Sequence, residues 1–397
     1  MGTSHCKNTH CFSGPGKVTR IICVCGARPN FMKIAPLMPA FDAHGFKTLL
    51  VHTGQHYDAN MSNLFFGDLN IPKPDINLEV GSGSHAAQTA EIMKRFEPVV
   101  VEFKPDYVLV VGDVNSTIAC GLVAVKLGVK LIHVEAGLRS FDRSMPEEIN
   151  RILTDHISDL LFVTDQSAVE NLKKEGIDAD KVYLVGNVMI DALMANKQKA
   201  LKSSALKKLG LKPKSYGLIT LHRPSNVDDI DKFGDIVAAF DEIQRDMKLV
   251  FPIHPRTRRN IRDSKVEGRL AAMENMLMLE PLSYLDFLCL MSNASLVMTD
   301  SGGIQAETTM LGIPCMTLRE NTEWPVTITE GTNQLAGTAK DDILKTYREI
   351  RNNHKNTAYR VPRFWDGKAA DRIAQIIARE SGSAECREPA VQQGNCV

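Results

Sequence analysis

The stretch YVLVVGDVNSTIACGLVAVKLGVKLIHVEA (107–136) decides the fold. It opens on an unbroken apolar run, turns at Gly112 and Asp113, and continues through the helical pattern STIACGLVAVKLG (116–128). KLIHVEA (130–136) then supplies a second short β-branched run. Strands that are apolar almost throughout and are joined through a helix belong to a parallel sheet covered on both faces. The stretch therefore reads as strand, crossover helix and parallel strand.

The same alternation extends outward in both directions. Further strands are expected in VTRIICVC (18–25), KTLLVHT (47–53), LLFVT (160–164) and VYLVGN (182–187), with a helix over FMKIAPLMPAFDAH (31–44). A Lys/Ala/Ser-rich stretch at 190–215 interrupts the pattern as a helix and linker. It resumes with YGLITLH (216–222), KLVFPIH (248–254), MLMLE (276–280), SLVMTD (295–300) and CMTL (315–318). Two doubly wound α/β domains facing a cleft are expected, with ligands beyond the carboxyl ends of the strands.

The chain has 397 residues, within the range for two domains. Lys+Arg and Asp+Glu are both 47, so no bulk positive field would hold nucleic acid or an anionic membrane. No run approaches the roughly 18–20 apolar residues of a membrane-spanning helix, and the first twenty residues lack the apolar core of a secretory signal. The expectation is a soluble, cytoplasmic protein. Of the nine cysteines, Cys23, Cys25, Cys120, Cys289 and Cys315 lie in apolar stretches and read as buried thiols. Cys6 and Cys11, beside His5 and His10, have metal-like spacing but sit in a polar tail read as disordered.

Candidate functional residues follow directly after strands. CGARPNFMK (25–33) places Arg28 and Lys33 at a helix start, where an anion would be favoured. No GxGxxG or GxxxxGK[ST] occurs, which argues against a nicotinamide dehydrogenase and a Walker-type NTPase. HTGQHYDAN (52–60) supplies Gln55, His56 and Asp58. Asp113 ends one strand; His133, Glu135 and Arg139 follow from the next; Glu147, Glu148 and Arg151 come at a helix start after Pro146. Carboxylates converging from adjacent strand ends can raise one another's pKa toward neutrality and suit proton transfer. Acids in a first helical turn also satisfy its dipole, the plainer reading for one of Glu147 and Glu148. In the second half, His222 and Arg223 follow a strand, as does IHPRTRR (253–259). TDSGGIQAE (299–307) then brings Ser301, Gly302 and Gly303 to a helix N-terminus, with Glu307 one turn in. Such a turn lets backbone N–H groups approach a phosphate. No HExxH or paired-histidine spacing accompanies the acids, so a metal is not expected there.

Taken together, GARPNFMKIAPL, HTGQHYD, GDVNSTIA, HVEAGLRSF, PEEINR, LHRPSN, TDSGGIQAE and RENTEWPVTITEGTN resemble the non-hydrolysing UDP-N-acetylglucosamine 2-epimerases. The resemblance runs from about Ile21 to Arg379. It implies a glycosyltransferase-B type fold of two Rossmann-like domains, with UDP held mainly by the second and the last helix crossing back to the first. On that basis residues 18–190 and a returning helix at about 367–380 form the N-terminal domain, 191–366 the C-terminal one, and 1–17 and 381–397 disordered tails. The resemblance places Asp113, Glu135, Glu147 and His222 on catalytic positions. It places Arg28 and Lys33 near the nucleotide and diphosphate, Ser301, Gly302, Gly303 and Glu307 on UDP-binding positions, and Phe287 against uracil. Gln55, His56 and Arg139 complete the expected substrate-binding set.

The implied activity interconverts UDP-GlcNAc and UDP-ManNAc by elimination and re-addition of UDP through a 2-acetamidoglucal, with no added cofactor. A homodimer is the expected assembly. GSGSHAAQTAEIM (81–93) lacks the arginine that many bacterial members use to bind an activating second UDP-GlcNAc, and Asp58 stands where many have Gln. HVEAGLRSFD also resembles relatives that epimerise UDP-2,3-diacetamido-glucuronic acid, so that substrate stands as the alternative. A UDP-sugar glycosyltransferase, a hydrolysing epimerase and a non-catalytic UDP-sugar binder are the remaining readings.

Overall fold

The computed structural model describes residues 18–54, 73–262, 266–353 and 359–382. Gln55, His56 and Asp58, the tail before residue 18 and the tail from 383 onward lie outside the described residues, as do the side chains of Arg28 and Arg256. The chain forms two parallel sheets. The first is built from β1 (Arg20–Cys25), β2 (Lys47–His52), β3 (Ile76–Asn77), β4 (Tyr107–Val111), β5 (Lys130–Ala136), β6 (Leu160–Val163) and β7 (Val182–Leu184). The second contains β8 (Tyr216–Thr220), β9 (Lys248–Pro252), β10 (Met276–Leu279), β11 (Leu296–Thr299), β12 (Cys315–Thr317) and β13 (Asn333–Leu335). Their spatial orders are β3-β2-β1-β4-β5-β6-β7 and β10-β9-β8-β11-β12-β13. The order reverses between β1 and β4 in one sheet and between β8 and β11 in the other. Each reversal opens a crevice at the strand carboxyl ends. This is the two-Rossmann architecture of the glycosyltransferase-B type.

Side-chain alternation explains why the strand sequences are apolar throughout. In β1, Ile21, Cys23 and Cys25 enter one core cluster while Ile22 and Val24 enter that on the opposite face. In β11, Leu296 and Met298 face one cluster and Val297 the other. Cys23, Cys25, Cys120, Cys289 and Cys315 are buried free thiols, as their apolar surroundings suggested. Burial pushes Cys23 and Cys315 up to about 12, so neither is a nucleophile at neutral pH.

The helix Ala369–Glu380 packs its apolar face into the β1–β4 core of the first sheet. Its first N–H groups are capped by Asp191, which accepts from Ala369 at 3.2 Å and from Ala370 at 2.8 Å. Asp191 lies on the helix Val188–Ala200, which joins the two sheets. No helix among the described residues is long and apolar enough to cross a membrane.

Several elements differ from the sequence reading. The helix expected over 31–44 is two helices, Arg28–Ile34 and Leu37–Ala43, split at Pro36, whose ring and missing N–H interrupt the ladder. The edge strands β3 and β13 were not anticipated, because Ile-Asn and Asn-Gln-Leu form no apolar run.

Candidate active site

Gly112 follows β4 at φ +71°, a conformation glycine adopts without penalty. A β-carbon there would lie 3.0 Å from the Lys33 ammonium and 3.6 Å from a Glu135 carboxylate oxygen. The glycine thus makes room for an ion pair between Lys33 Nζ and Glu135 Oε2. Lys33 comes from the helix after β1, and Glu135 from the end of β5. Glu135 itself sits at φ +71°, where the β5–β6 register shifts between Val134 and Ala136. Non-glycine residues in this region are strained, and such strain collects at functional sites. The irregularity re-aims a side chain that a regular strand would bury in the sheet.

Glu135 is buried, and its second oxygen, Oε1, has no hydrogen-bond partner among the described residues. Burial pushes its carboxyl up and Asp113 adds to the effect, while Lys33 and His133 hold it back. Burial would lower Lys33, but Glu135 and Asp113 outweigh it and keep the ammonium charged. A carboxylate raised by burial, with one oxygen open, is suited to take and return a proton.

Asp113 is half-buried and paired with Arg151. The same guanidinium donates to Glu148, from Nε at 3.0 Å and Nη2 at 2.6 Å. Glu148 also accepts from the Ser140 and Phe141 N–H groups at 3.0 and 2.8 Å. Its carboxyl stays below the usual range because these donors outweigh its burial. The adjacent pair therefore divides its roles: Glu148 is a fixed structural anion. Glu147 is half-buried and makes no hydrogen bond or ion pair among the described residues, so its carboxylate is available to a ligand.

Arg139, expected at the substrate, is instead committed to the scaffold. It is buried, with Nη1 2.7 Å from Asp155 and with Glu175 bound by Nε at 2.8 Å and Nη2 at 2.7 Å. Asp155 also accepts from His133 Nδ1 at 2.6 Å, and His133 Nε2 donates to the Gly112 carbonyl at 2.9 Å. His133 and Arg139 thereby hold the turn that carries Asp113.

At the second crevice, His222 follows β8 and Asp300 follows β11. His222 Nδ1 lies 3.0 Å from Asp300 Oδ1. Asp300 is fully buried and also accepts the backbone N–H groups of His222 and Arg223 at 3.0 and 2.9 Å. It is held below its usual range despite burial, with His222 the leading stabilising partner. The ring of His222 is thereby oriented, with about 43% of its side chain exposed.

Ser301 is the N-cap of the helix Gly302–Leu311, yet its hydroxyl makes no capping bond. Gly302 packs against Glu323 and Trp324, where a β-carbon would crowd both side chains, and Gly303 lies against the flexible end of Met189. Glu307, on the same helix, is buried and accepts from the Tyr284 hydroxyl at 3.1 Å. Burial pushes it up to about 7, with Tyr284 opposing. Phe287, one turn after Tyr284, is half-buried at the edge of the second core.

A sequence profile of the UDP-N-acetylglucosamine 2-epimerase family matches residues 40–378. The chain belongs to the UDP-N-acetylglucosamine 2-epimerase family. It is 43% identical over 361 residues to a UDP-N-acetylglucosamine 2-epimerase homolog of Methanococcus maripaludis, covering 90% of this chain and 99% of that one. It is 41% identical over 364 residues to a UDP-2,3-diacetamido-2,3-dideoxy-D-glucuronate 2-epimerase of Pseudomonas aeruginosa, covering 91% and 99%. Among solved structures, the Methanocaldococcus jannaschii UDP-GlcNAc 2-epimerase in complex with UDP-GlcNAc and UDP superimposes with a TM-score of 0.85 at 41% identity. That match covers 91% of this chain and all of the other.

Within this epimerase scaffold, the groups that sequence reasoning did not single out are Tyr284 and Glu323, together with the pairing of Arg151 to both Asp113 and Glu148. Tyr284 packs on both the first and second cores while holding Glu307. Its place in EPLSYLDF looks like an ordinary helix start, and no local signal marks it.

Proposed function

We propose that this enzyme interconverts UDP-N-acetylglucosamine and UDP-N-acetylmannosamine by inverting C2. Residues 18–190 with the returning helix supply the proton-transfer groups, and residues 191–366 hold the nucleotide. The observation that carries the reading is the Lys33–Glu135 pair at a strained strand end beside Asp113, with one Glu135 oxygen open.

The C2 proton of a 2-acetamido sugar is not acidic enough to leave a free carbanion. Removing it as the C1–O bond to UDP breaks avoids that species and leaves a C1=C2 double bond. A carboxylate takes the proton, and the bonding pair of the C1–O bond departs with UDP. Re-addition of UDP at C1, with a proton delivered to the opposite face of C2, gives the epimer. Two acid/base groups are therefore required, and Asp113, Glu135 and Glu147 are the candidates. Lys33 opposes the upward pull of burial on Glu135 and so favours its proton-accepting form. His222, held by Asp300, and the helix N-terminus at Ser301–Gly303 face the departing diphosphate, where donors aimed at developing charge contribute most. Arg28 belongs to the same diphosphate set. Glu307 and Phe287 hold the nucleoside.

The P. aeruginosa relative supports a second reading, in which the sugar is UDP-2,3-diacetamido-glucuronic acid and the same C2 chemistry applies. Proton NMR of the purified enzyme with UDP-GlcNAc separates the two. UDP-ManNAc signals support the first; an inert spectrum, with turnover of the diacetamido-glucuronate, supports the second. Release of free sugar would point to a hydrolysing enzyme and overturn the proposal.

A further inference from the structure

The turn from Ser140 to Met145 borders both halves of the proposed site. At its start, Glu148 Oε2 accepts from the Ser140 N–H and hydroxyl, both at 3.0 Å, and Oε1 accepts from the Phe141 N–H at 2.8 Å. The same Oε2 accepts from Arg151, whose Nη1 pairs with Asp113. Contacts therefore run without a break from the Asp113 carboxylate to the Phe141 backbone. At the far end of the turn, the Met145 sulfur lies 4.0 Å from Arg223, the neighbour of His222. Asp142 closes the turn: its carboxylate accepts from the Ser144 N–H and hydroxyl at 3.0 and 2.6 Å, and its carbonyl from the Met145 N–H at 3.1 Å.

This anchored turn holds Phe141 at φ +60° with 75% of the residue exposed, the most exposed large apolar side chain among the described residues. Both features are costly. A bulky residue is strained in the left-handed region, and an open aromatic ring leaves apolar surface in water. Phe364 has a similar φ of +65°, but the guanidiniums of Arg363 and Arg372 each cover its ring at 4.6 Å from the centroid. The Phe141 ring has no such cover among the described residues. Packing offsets the strain at Phe364, whereas at Phe141 the Glu148 carboxylate imposes it on a ring left open. Strain of this kind gathers where a ligand is met.

Resting on the epimerase reading above, we propose that Phe141 is a sugar-contacting residue whose ring packs on the C–H face of the substrate's pyranose. In that reading C2 reaches the Asp113 and Glu135 carboxylates while the diphosphate on C1 reaches His222. The sugar then spans the gap that the turn borders, between Asp113 at one end and Arg223 at the other. The C–H groups of a pyranose form an apolar, slightly positive face, which suits the negative face of an aromatic ring. The ring is covered only when sugar is bound, and it holds C2 in register with the carboxylates. UDP alone has no sugar and does not meet it.

The test compares Phe141→Gly and Phe141→Tyr with the wild type, using whichever UDP-sugar the wild type epimerises. Calorimetry gives affinities for that UDP-sugar and for UDP, and kinetics give KM and kcat. Phe141→Gly removes the ring and the strain together, so it should melt no lower than the wild type. It should weaken UDP-sugar binding and raise KM at least about tenfold, the scale for burying a side chain of this size. UDP affinity should be unchanged, and Phe141→Tyr, which keeps the ring, should recover most of the loss. If glycine loosens the turn, Phe141→Asn, also tolerated at positive φ, is read by the same criteria. An unchanged KM, or UDP affinity falling in step with that for the UDP-sugar, overturns the proposal. A wild-type enzyme that epimerises neither UDP-GlcNAc nor the diacetamido-glucuronate defeats the functional reading instead, and this contact with it.

Discussion

At the β4–β5 end of the first sheet, Glu135 is buried with one oxygen unpartnered, and burial pushes its carboxyl up. At the β8–β11 end of the second, Asp300 is equally buried but lies against His222 and accepts from Arg223 and Asn226, and it is held down. Both are buried acids at the carboxyl ends of strands, and both pair with one basic side chain. What separates them is donor supply. A carboxylate whose oxygens are all met is locked as an anion and serves to orient its neighbours. One left half-met keeps the freedom to bind a proton. On the proposed reading, the first crevice transfers protons and the second holds charge still.

The largest effect should come from removing the proton acceptors. Glu135→Gln and Asp113→Asn should each cut turnover by at least about 100-fold, the lower end for lost acid/base catalysis. UDP affinity should stay near normal, since the proposed nucleotide contacts lie mainly on the other sheet. Near-normal turnover in either variant would erase the distinction between the two crevices at that residue. Arg139→Met probes the scaffold beneath the first crevice. It leaves Asp155 and Glu175 without their guanidinium, and urea unfolding should show a loss of about 3–5 kcal/mol, the usual cost of breaking a buried pair. KM should change little; a large rise in KM with unchanged stability would return Arg139 to the substrate site.

A smaller effect is expected at Glu307. Replacing it by alanine should weaken UDP binding by about 1–3 kcal/mol, the range for leaving buried polar partners unmet. Unchanged affinity in calorimetry would remove Glu307 from the nucleotide site. The smallest effect concerns pH. Glu307 is pushed up to about 7 in the folded chain, above its unfolded value of 4.5. The folded state thus holds this proton more tightly than the unfolded one. Its contribution to stability is full below the ordinary carboxylate range and is lost as pH rises through about 7. Without UDP, the melting temperature should fall between those limits, and Glu307→Gln should flatten the fall. Identical pH profiles for the two proteins would contradict this.

Much of this was legible in the chain because apolar strands end abruptly in polar residues. Asp113, Glu135, His222 and Ser301 each follow a run whose alternation fills two opposite cores, so their placement at strand ends needed only the strand pattern. What the pattern does not carry is the direction a side chain takes after the strand stops. Arg139 and Glu135 are four residues apart, yet one is drawn into the Asp155–Glu175 scaffold while the other is aimed at Lys33 from a strand irregularity at positive φ. Glu147 and Glu148 are neighbours, but a helix points them about 100° apart, and only Glu148 finds the Ser140 and Phe141 N–H groups. Glu323 pairs with Arg223, separated from it by 100 positions. Such partners become visible only once the second sheet has formed.

The central claim is that C2 is inverted by loss and regain of its proton at protein carboxylates as UDP leaves and returns. Epimerisation of UDP-GlcNAc in D₂O, followed by proton NMR, tests it most directly. With a different acid/base group serving each face, the returning proton comes from a group in exchange with solvent, so the UDP-ManNAc formed should carry deuterium at C2. UDP-ManNAc carrying undiluted protium at C2 would contradict the elimination route and the roles assigned to Asp113, Glu135 and Glu147.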